Sequence, residues 1–322
     1  MDHAGVVWFG TGSGIYSYDE ARDRWEDHSQ AFGKKLWGIG AMAEDGRGRI
    51  WAEYTLTDEI AFYANGRWQH PDAICQSWAR SPVRALIPGR DGRVWFVSSA
   101  GLLQYDGVHW EGPFNPTQQA LSQYGLLSTA GRANQSPSKA ESGSQADRSA
   151  KGPSEWLSGF WTGTEDRDGE VWLSGERAIW RFDGRTGDWK AYPAIYPQNE
   201  GPFEVAEDND RGIWFWDTRG HLSRYDKDAG SLGSHDISVR LTEIFVQVAS
   251  VESLWSDRPG RMIIGTSQGN FIFDISSGEL NPLTIQETPK QWARRNDISA
   301  VASDRHGRIW MACDDQILVL RQ

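Results

Sequence analysis

The 322-residue sequence predicts an all-β fold made of short antiparallel strands joined by tight turns. Its 18 tryptophans favour half-buried strands, and its 35 glycines favour tight turns. The apolar runs are short and alternate with a period of two residues, which is typical of strands and not of helices. A third observation, an internal repeat, defines how these strands are grouped.

The repeat reads Asp, two residues, Gly, one residue, an aliphatic residue and then Trp. Its Trp positions are separated by 42 to 49 residues, apart from one interval of 77 residues that contains an insertion. A period in the forties is typical of propellers and solenoids. The complete copies are Asp2-Gly5-Trp8, Asp45-Gly48-Trp51, Asp166-Gly169-Trp172 and Asp304-Gly307-Trp310, and the partial copies are Gly89-Gly92-Trp95, Asp208-Arg211-Trp214 and Asp257-Gly260-Ile263.

Each copy has the same order of predicted strands. An apolar strand such as residues 36–43 (LWGIGAMA) precedes the Asp, and the Asp-x-x-Gly turn leads into a second strand that carries the Trp. A third strand such as residues 14–19 (GIYSYD) and a weaker fourth strand follow. The sequence therefore predicts a seven-bladed β-propeller of four-stranded antiparallel blades, forming one domain over residues 1–322. The Asp and Gly should shape the turn after the innermost strand, and the Trp should pack between adjacent blades.

The first and last blades are predicted to be incomplete. Asp2 already occupies the turn, so the innermost strand of the first blade is not present, and the last blade lacks an outermost strand. We expect an upstream segment of roughly 20 residues to supply both strands and close the ring, so that Met1 is not the natural start. Localisation is left open: extracytoplasmic if such a segment carries a signal peptide, cytoplasmic if the chain is complete.

The long interval between the third and fourth copies contains an insertion at about residues 115–155. Its second half is rich in Ser, Ala, Gly and Gln without apolar periodicity, which predicts a flexible loop between blades three and four. Residues 120–127 (ALSQYGLL) are its one apolar stretch, which is compatible with a single helical turn or a contact to a partner.

Charge and hydropathy exclude two classes of partner. A net charge of −11 and a pI of about 5.2 argue against nucleic acid, which requires a basic face. With a mean hydropathy of −0.59, no apolar run approaches the roughly 20 residues that a membrane helix needs. The only two cysteines, Cys75 and Cys313, are interpreted as structural thiols. We predict no metal site, no cofactor and no catalytic set, and we leave self-association open.

The copies DHAGVVWFGTGSGIYSYD (residues 2–19) and EDRDGEVWLSGERAIWRFD (residues 165–183) resemble the two-component regulator propeller repeat. The resemblance covers the chain apart from the insertion. It implies a seven-bladed ligand-binding sensor domain, often extracytoplasmic, paired with a second propeller and fused to a histidine kinase or another output domain. Carbohydrate fragments are a common ligand class in that family.

Candidate ligand-binding residues are the aromatic and charged side chains on the loops around the predicted channel mouth. Aromatic faces and a few charged groups suit a sugar or a carboxylate, through stacking and bidentate pairing. The predicted set is Lys35, Trp37, Trp78, Arg80, Arg84, Trp161, Phe203, Glu204, Glu252, Trp255, Arg294 and Arg295.

Three functions remain open at this point. The leading hypothesis is a non-catalytic sensor or recognition propeller that binds a small polar ligand or a protein partner at the channel mouth. The second is a scaffold for protein–protein interaction that uses a propeller face and the insertion. The third, less favoured, is a carbohydrate-active lyase or hydrolase, because the seven histidines are scattered along the chain.

Overall fold

The structure, a computed structural model, contains 26 strands and one 3-10 turn among the residues that it describes. No helix in these segments is long and apolar enough to cross a membrane. The described residues are 1–11, 14–28, 30, 38–54, 59–71, 83–98, 101–116, 160, 162–175, 178–193, 204–216, 221–236, 251–266, 269–283, 298–303, 308–313 and 316–320. Residues 117–155 of the predicted insertion lie outside them, and so do the turn residues Asp304 and Gly307 of the last copy.

The described strands form seven antiparallel sheets, which we number sheet 1 to sheet 7 along the chain. Sheet 1 contains β1 (Val6–Thr11), β2 (Gly14–Asp19) and β3 (Arg24–Asp27). Sheet 2 contains β4 (Ile39–Glu44), β5 (Ile50–Tyr54), β6 (Glu59–Ala64) and β7 (Arg67–Gln69). Sheet 3 contains β8 (Val83–Pro88), β9 (Val94–Ser98), β10 (Gly101–Tyr105) and β11 (Trp110–Phe114). Sheet 4 contains β12 (Gly163–Glu165), β13 (Glu170–Ser174), β14 (Ala178–Asp183) and β15 (Asp188–Pro193). Sheet 5 contains β16 (Glu204–Glu207), β17 (Gly212–Trp216), β18 (His221–Asp226) and β19 (Ser231–Asp236). Sheet 6 contains β20 (Val251–Arg258), β21 (Arg261–Thr266), β22 (Gly269–Asp274) and β23 (Leu280–Pro282). Sheet 7 contains β24 (Ile298–Ser303), β25 (Ile309–Cys313) and β26 (Gln316–Leu320).

Every sheet has its strands in chain order, so each is a simple meander. The first strands of sheets 2 to 7 contact each other in sequence: β4 with β8, then β12, β16, β20 and β24. Sheet 7 meets sheet 1 where Trp310 packs on Phe9 and Tyr18 and where Arg308 pairs with Glu20. Successive sheets therefore surround a common axis, which is the arrangement of a β-propeller with antiparallel four-stranded blades, as the repeat predicts.

The hydrophobic core lies between neighbouring sheets. The second-strand tryptophans fill these interfaces, and each makes edge or tilted contacts with an aromatic ring of the next sheet, with a gain of about 0.5–1.5 kcal/mol beyond area burial. The prediction that these tryptophans pack between blades is confirmed. The ring centroids are 5.3 Å apart for Trp51–Phe96, 5.8 Å for Trp95–Phe182, 5.3 Å for Trp172–Tyr225 and 5.8 Å for Trp214–Phe273.

The Asp of the repeat holds both its turn and the tryptophan. In sheet 2, Oδ1 of Asp45 accepts the backbone N–H groups of Arg47 and Arg49 at 2.9 and 3.1 Å. Its Oδ2 accepts the indole N–H of Trp51 at 2.7 Å. Gly48 has φ of 74°, the left-handed conformation that closes the turn. Indole-to-carboxylate bonds of the same 2.7 Å length join Trp8 to Asp2, Trp172 to Asp166 and Trp214 to Asp208.

Asp45, Asp166 and Asp208 are buried, so their charge requires compensation. A cation reaches each of these three carboxylates: Arg49 Nε lies 2.7 Å from Asp45, Arg224 Nε 2.9 Å from Asp208 and Lys227 Nζ 2.5 Å from Asp166. Two of these cations come from the same sheet as their carboxylate, and Lys227 comes from the next sheet.

The third copy replaces the Asp by Gly89, yet its tryptophan keeps an acidic partner. Trp95 Nε1 donates to Glu165 Oε2 at 2.6 Å, and Glu165 ends the first strand of sheet 4. The same carboxylate accepts the backbone N–H of Arg90 through Oε1 at 3.2 Å. The neighbouring sheet therefore supplies the group that this copy lacks.

Sheet 1 differs from sheets 2 to 6, because β1 is at its axial edge and corresponds to the second strand of those sheets. A cavity of about 780 Å³ lies along β1. It is bounded by β1, by β4, by the turns around Gly46 and Gly89, and by Trp310.

Replacing one indole by a benzyl ring tests the buried hydrogen bond. Trp172→Phe keeps an aromatic ring in the interface but removes the donor to Asp166. We expect the free energy of unfolding to fall by about 1–3 kcal/mol, because a buried acceptor loses a partner. Urea unfolding measures the change. Trp25→Phe is the control, since Trp25 is 52% exposed and should lose no more than about 0.5 kcal/mol. Equal losses in both variants would contradict this role of the indole N–H.

Candidate functional site

The Asp-Gly turns form one end of the propeller, which we call the turn end. Hydrogen bonds join each turn region to that of the next sheet, from sheet 1 through sheet 6. The polar groups of this end therefore serve the scaffold. The bonds are His3 N to Glu44 (2.9 Å), Gly46 N to Gly92 O (2.6 Å), Arg90 N to Glu165 (3.2 Å), Arg167 N to Glu207 (3.1 Å) and Asn209 Nδ2 to Ser256 Oγ (3.1 Å).

The opposite end, where the first strands begin, has a repeated irregularity, and we call it the bulge end. In β4, β8, β20 and β24 the pairing register slips by one residue at the second position of the strand. The residues left out of the pairing are Gly40, Arg84, Glu252 and Ser299. Bulges of this kind redirect a side chain and are concentrated at barrel rims and beside functional sites.

The four bulge residues share one sequence offset. Each precedes the Asp position of its own turn by five residues, as Gly40 precedes Asp45. Trp161 and Phe203 have the same offset from Asp166 and Asp208. Four of the predicted site residues, Arg84, Trp161, Phe203 and Glu252, are thus at equivalent places in the repeat, whereas Gly40 and Ser299 were missed because neither is aromatic or charged.

Arg84 has the clearest orientation of this group. Its side chain is exposed, although the neighbours Val83 and Ala85 on the same strand are buried. Because β8 is covered by β4 on one side and by β12 on the other, an exposed side chain on it reaches solvent at the channel. Within the described part of the chain, no carboxylate forms an ion pair with Arg84.

Glu204 opens β16 and pairs with Trp216. At the same register position, the other first strands have the small residues Ala41, Ala85, Ser253 and Ala300. The carboxyl is largely enclosed, and this burial raises the pKa of Glu204 to about 8. Glu204 is therefore mostly protonated at neutral pH, and its carboxyl can donate a hydrogen bond as well as accept one.

The structure describes the remaining predicted residues to different extents. Trp255 is half-buried on β20 and lies three residues beyond the bulge, towards the turn end. The backbone of Glu252 is described within β20, but its side chain is outside the description. The rest of the predicted set also lies outside the described residues and stays a prediction: Lys35, Trp37, Trp78, Arg80, Trp161, Phe203, Arg294 and Arg295.

One acidic cluster at the turn end has the spacing of a cation site. The carboxylates of Asp166, Asp168 and Glu170 lie within 4.8 Å of one another. Lys227 Nζ sits among them at 2.5, 2.5 and 3.0 Å, and Arg211 pairs with Asp168 at 2.6 Å. Burial alone would lower the pKa of Lys227, but the three carboxylates raise it above its usual value. The cation of this cluster is thus the chain's own ammonium group.

Comparison with known proteins identifies propellers of varied function. The chain aligns over its full length with the extracellular domain of a hybrid two-component system from B. thetaiotaomicron, with a TM-score of 0.68 and 17% identity, and spans 37% of that chain. It aligns over 99% with virginiamycin B lyase from Staphylococcus aureus (TM-score 0.65, 14% identity, 92% of that chain). It also aligns over 99% with YCF48 from Cyanidioschyzon merolae (TM-score 0.66, 9% identity, 92% of that chain).

These identities are low, so the similarity establishes the fold alone. The chain is a β-propeller. No family model matches the sequence, and no curated protein does so either. Among the structural neighbours are an extracellular domain of a two-component system, an enzyme and a protein bound to a peptide. The choice between these roles depends on the residues of this chain.

The protonation of Glu204 gives a pH-dependent prediction. Its pKa of about 8 in the folded chain exceeds the ordinary 4.5, so folding retains a proton that unfolding releases between about pH 5 and 8. Stability should therefore fall as pH rises through this window, by at most about 1.4 kcal/mol per pH unit from this group. Glu204→Gln should become progressively more stable than the wild type over the same range.

Urea unfolding at several pH values between 5.5 and 8.5 measures this difference. Glu111→Gln is the matched control, because Glu111 is exposed on β11 and should keep the wild-type pH dependence. A Glu204→Gln curve parallel to that of the wild type would show that the carboxyl is ionised in the folded protein.

Proposed function

We propose that the chain is a non-catalytic recognition module that binds a small polar ligand at the bulge end of its channel, and that it belongs with the two-component regulator propellers. The observation that carries this proposal is the recurrence of the bulge at one register position in four first strands. A bulge interrupts the ladder and lowers local stability, so its retention in four separate sheets favours a shared purpose.

The contrast between the two ends supports this location. At the turn end, the polar groups are engaged in bonds between successive turns. At the bulge end, Arg84 is exposed and Glu204 is enclosed without an ionic partner among the described residues. A concave mouth with a few convergent polar groups is the ordinary form of a small-molecule site.

The family assignment rests on the repeat and on one neighbour. The sequence unit resembles the two-component regulator propeller repeat, and the structural neighbours include the extracellular domain of a two-component system. Because this chain spans 37% of that protein, the proposal concerns a sensing module and not the output that such a system carries.

We also infer that the seven sheets are the seven blades of one ring. The order of contacts from β4 to β24, together with the pairing of Arg308 with Glu20, supports this count. The cavity along β1 supports the further inference that closure at sheet 1 relies on side-chain packing and is incomplete in this chain.

The contacts of two histidines, His3 and His28, favour recognition over catalysis, because both side chains are engaged in the scaffold. His3 pairs with Glu44 at the turn end. His28 stacks on Trp8 with centroids 4.9 Å apart and has Ser17 Oγ at 2.9 Å, and burial lowers its pKa. Both side chains make structural contacts, His3 at the turn end and His28 next to β3 at the outer edge of sheet 1.

A ligand screen read by two methods tests the proposal. Thermal-shift assays against sugars, sugar acids and small organic acids should give at least one saturable stabilisation, because a ligand that binds the folded state raises its stability. Hydrogen–deuterium exchange with that ligand should then show protection at the starts of β4, β8, β20 and β24.

The turn segments 45–48 and 166–169 are the internal control, and their exchange should not change. Protection confined to those turns or to the outer strands would contradict a site at the bulge end. Chemical conversion of the ligand during the assay would favour a lyase or hydrolase and overturn the non-catalytic assignment.

A further inference from the structure

The channel-lining strands contain very little positive charge. Among the described residues of the first strands β4, β8, β12, β16, β20 and β24, the only cations are Arg84 and Arg258. Arg258 ends β20 at the turn end, whereas Arg84 lies at the bulge end. The mouth proposed above therefore has one described cation on its wall, in a chain of net charge −11.

Arg84 also differs from the arginines that stabilise the scaffold. Arg49 and Arg224 are both held against buried carboxylates of their own sheets at 2.7 and 2.9 Å. Arg308 pairs with Glu20 across the interface of sheets 7 and 1. For Arg84, no acidic partner is found among the described residues, and the bulge directs it away from the sheet. A guanidinium group in that position presents its donors to the channel.

We infer that the ligand of this mouth carries a carboxylate group and that Arg84 binds this group as a bidentate anchor. The inference rests on the proposed function and deepens it by naming the ligand class, a small hydroxylated organic acid. The planar guanidinium matches a carboxylate with two parallel hydrogen bonds, which the ammonium of a lysine cannot reproduce.

Among the first-strand side chains that the structure describes at the bulge end, the one acidic group does not oppose an anion at this place. Glu204 lies two sheets along the ring from Arg84, and its raised pKa keeps it mostly neutral at pH 7. In that form it can donate a hydrogen bond to a ligand oxygen, so its presence is compatible with an acidic ligand.

Isothermal titration at pH 7 with matched pairs of compounds tests this inference. The pairs are galacturonate with galactose, gluconate with glucose, and malate with malate diamide. We expect the acid of at least one pair to bind about tenfold or more tightly than its neutral partner, because a charged hydrogen bond is lost in the latter. Arg84→Gln should remove this preference, and Arg84→Lys should restore it only in part.

Arg258→Gln is the control for overall charge, since it removes a cation from the turn end and should change affinity by less than about twofold. Arg84→Gln and Arg258→Gln both alter exposed side chains, and unchanged unfolding curves will confirm that the two variants fold.

Equal binding of acids and neutral partners, unaffected by Arg84→Gln, would overturn this inference and leave the proposed function intact. Tighter binding of inorganic phosphate or sulfate than of any carboxylate would also overturn it. If none of these compounds binds, both the proposed function and this inference fail.

Discussion

The hydrogen bond from a buried indole N–H to a turn carboxylate is the interaction on which this propeller depends. A single aspartate both closes the turn between the first and second strands and receives the tryptophan that fills the interface to the next sheet. Local chain reversal and packing between sheets are thereby coupled through one side chain. The cost of burying the carboxylate is offset by backbone N–H groups, by the indole and by a nearby cation, as at Asp45 and Asp166.

This arrangement separates the two ends of the channel by function. The turn end is stabilised by these aspartates and by the bonds that pass from turn to turn. The bulge end does not contain these stabilising bonds, so its residues can vary while the scaffold is retained. Such variation is expected where function depends on sites carried by a common fold. Arg84 and Glu204 occupy positions at which the other sheets have small or uncharged residues, except Glu252.

The sequence was sufficient to predict the architecture because its signals are local. The Asp-x-x-Gly turn, the Trp three residues after the Gly and the period-two strands place the elements within a few residues, as the agreement of residues 14–19 with β2 shows. The packing of the tryptophans between sheets was predictable, but the polar contacts between sheets were not. Glu165 replaces the missing aspartate beside Trp95, and Lys227 reaches Asp166 from the next sheet, and neither relationship has a sequence pattern.

The candidate site was predicted only in part for a similar reason. The chemical type and expected loop position of Arg84, Glu204 and Glu252 predict them as site residues, but these features do not show how the strands pair. A bulge is a property of two strands together, so the equivalence of Gly40, Arg84, Glu252 and Ser299 became visible only when each first strand was aligned with its neighbour. The constant five-residue offset from the turn was present in the sequence and is the signal that could have revealed it.

The most direct test of the central interaction is hydrogen exchange of the tryptophan indole N–H groups, followed by NMR. Those of Trp51, Trp172 and Trp214 should exchange only through large-scale unfolding, at rates that follow the free energy of unfolding. That of Trp25, which is 52% exposed, should exchange rapidly. Asp166→Asn should accelerate exchange at Trp172 more than at Trp51. Indole exchange at Trp51, Trp172 and Trp214 as fast as at Trp25 would contradict the account.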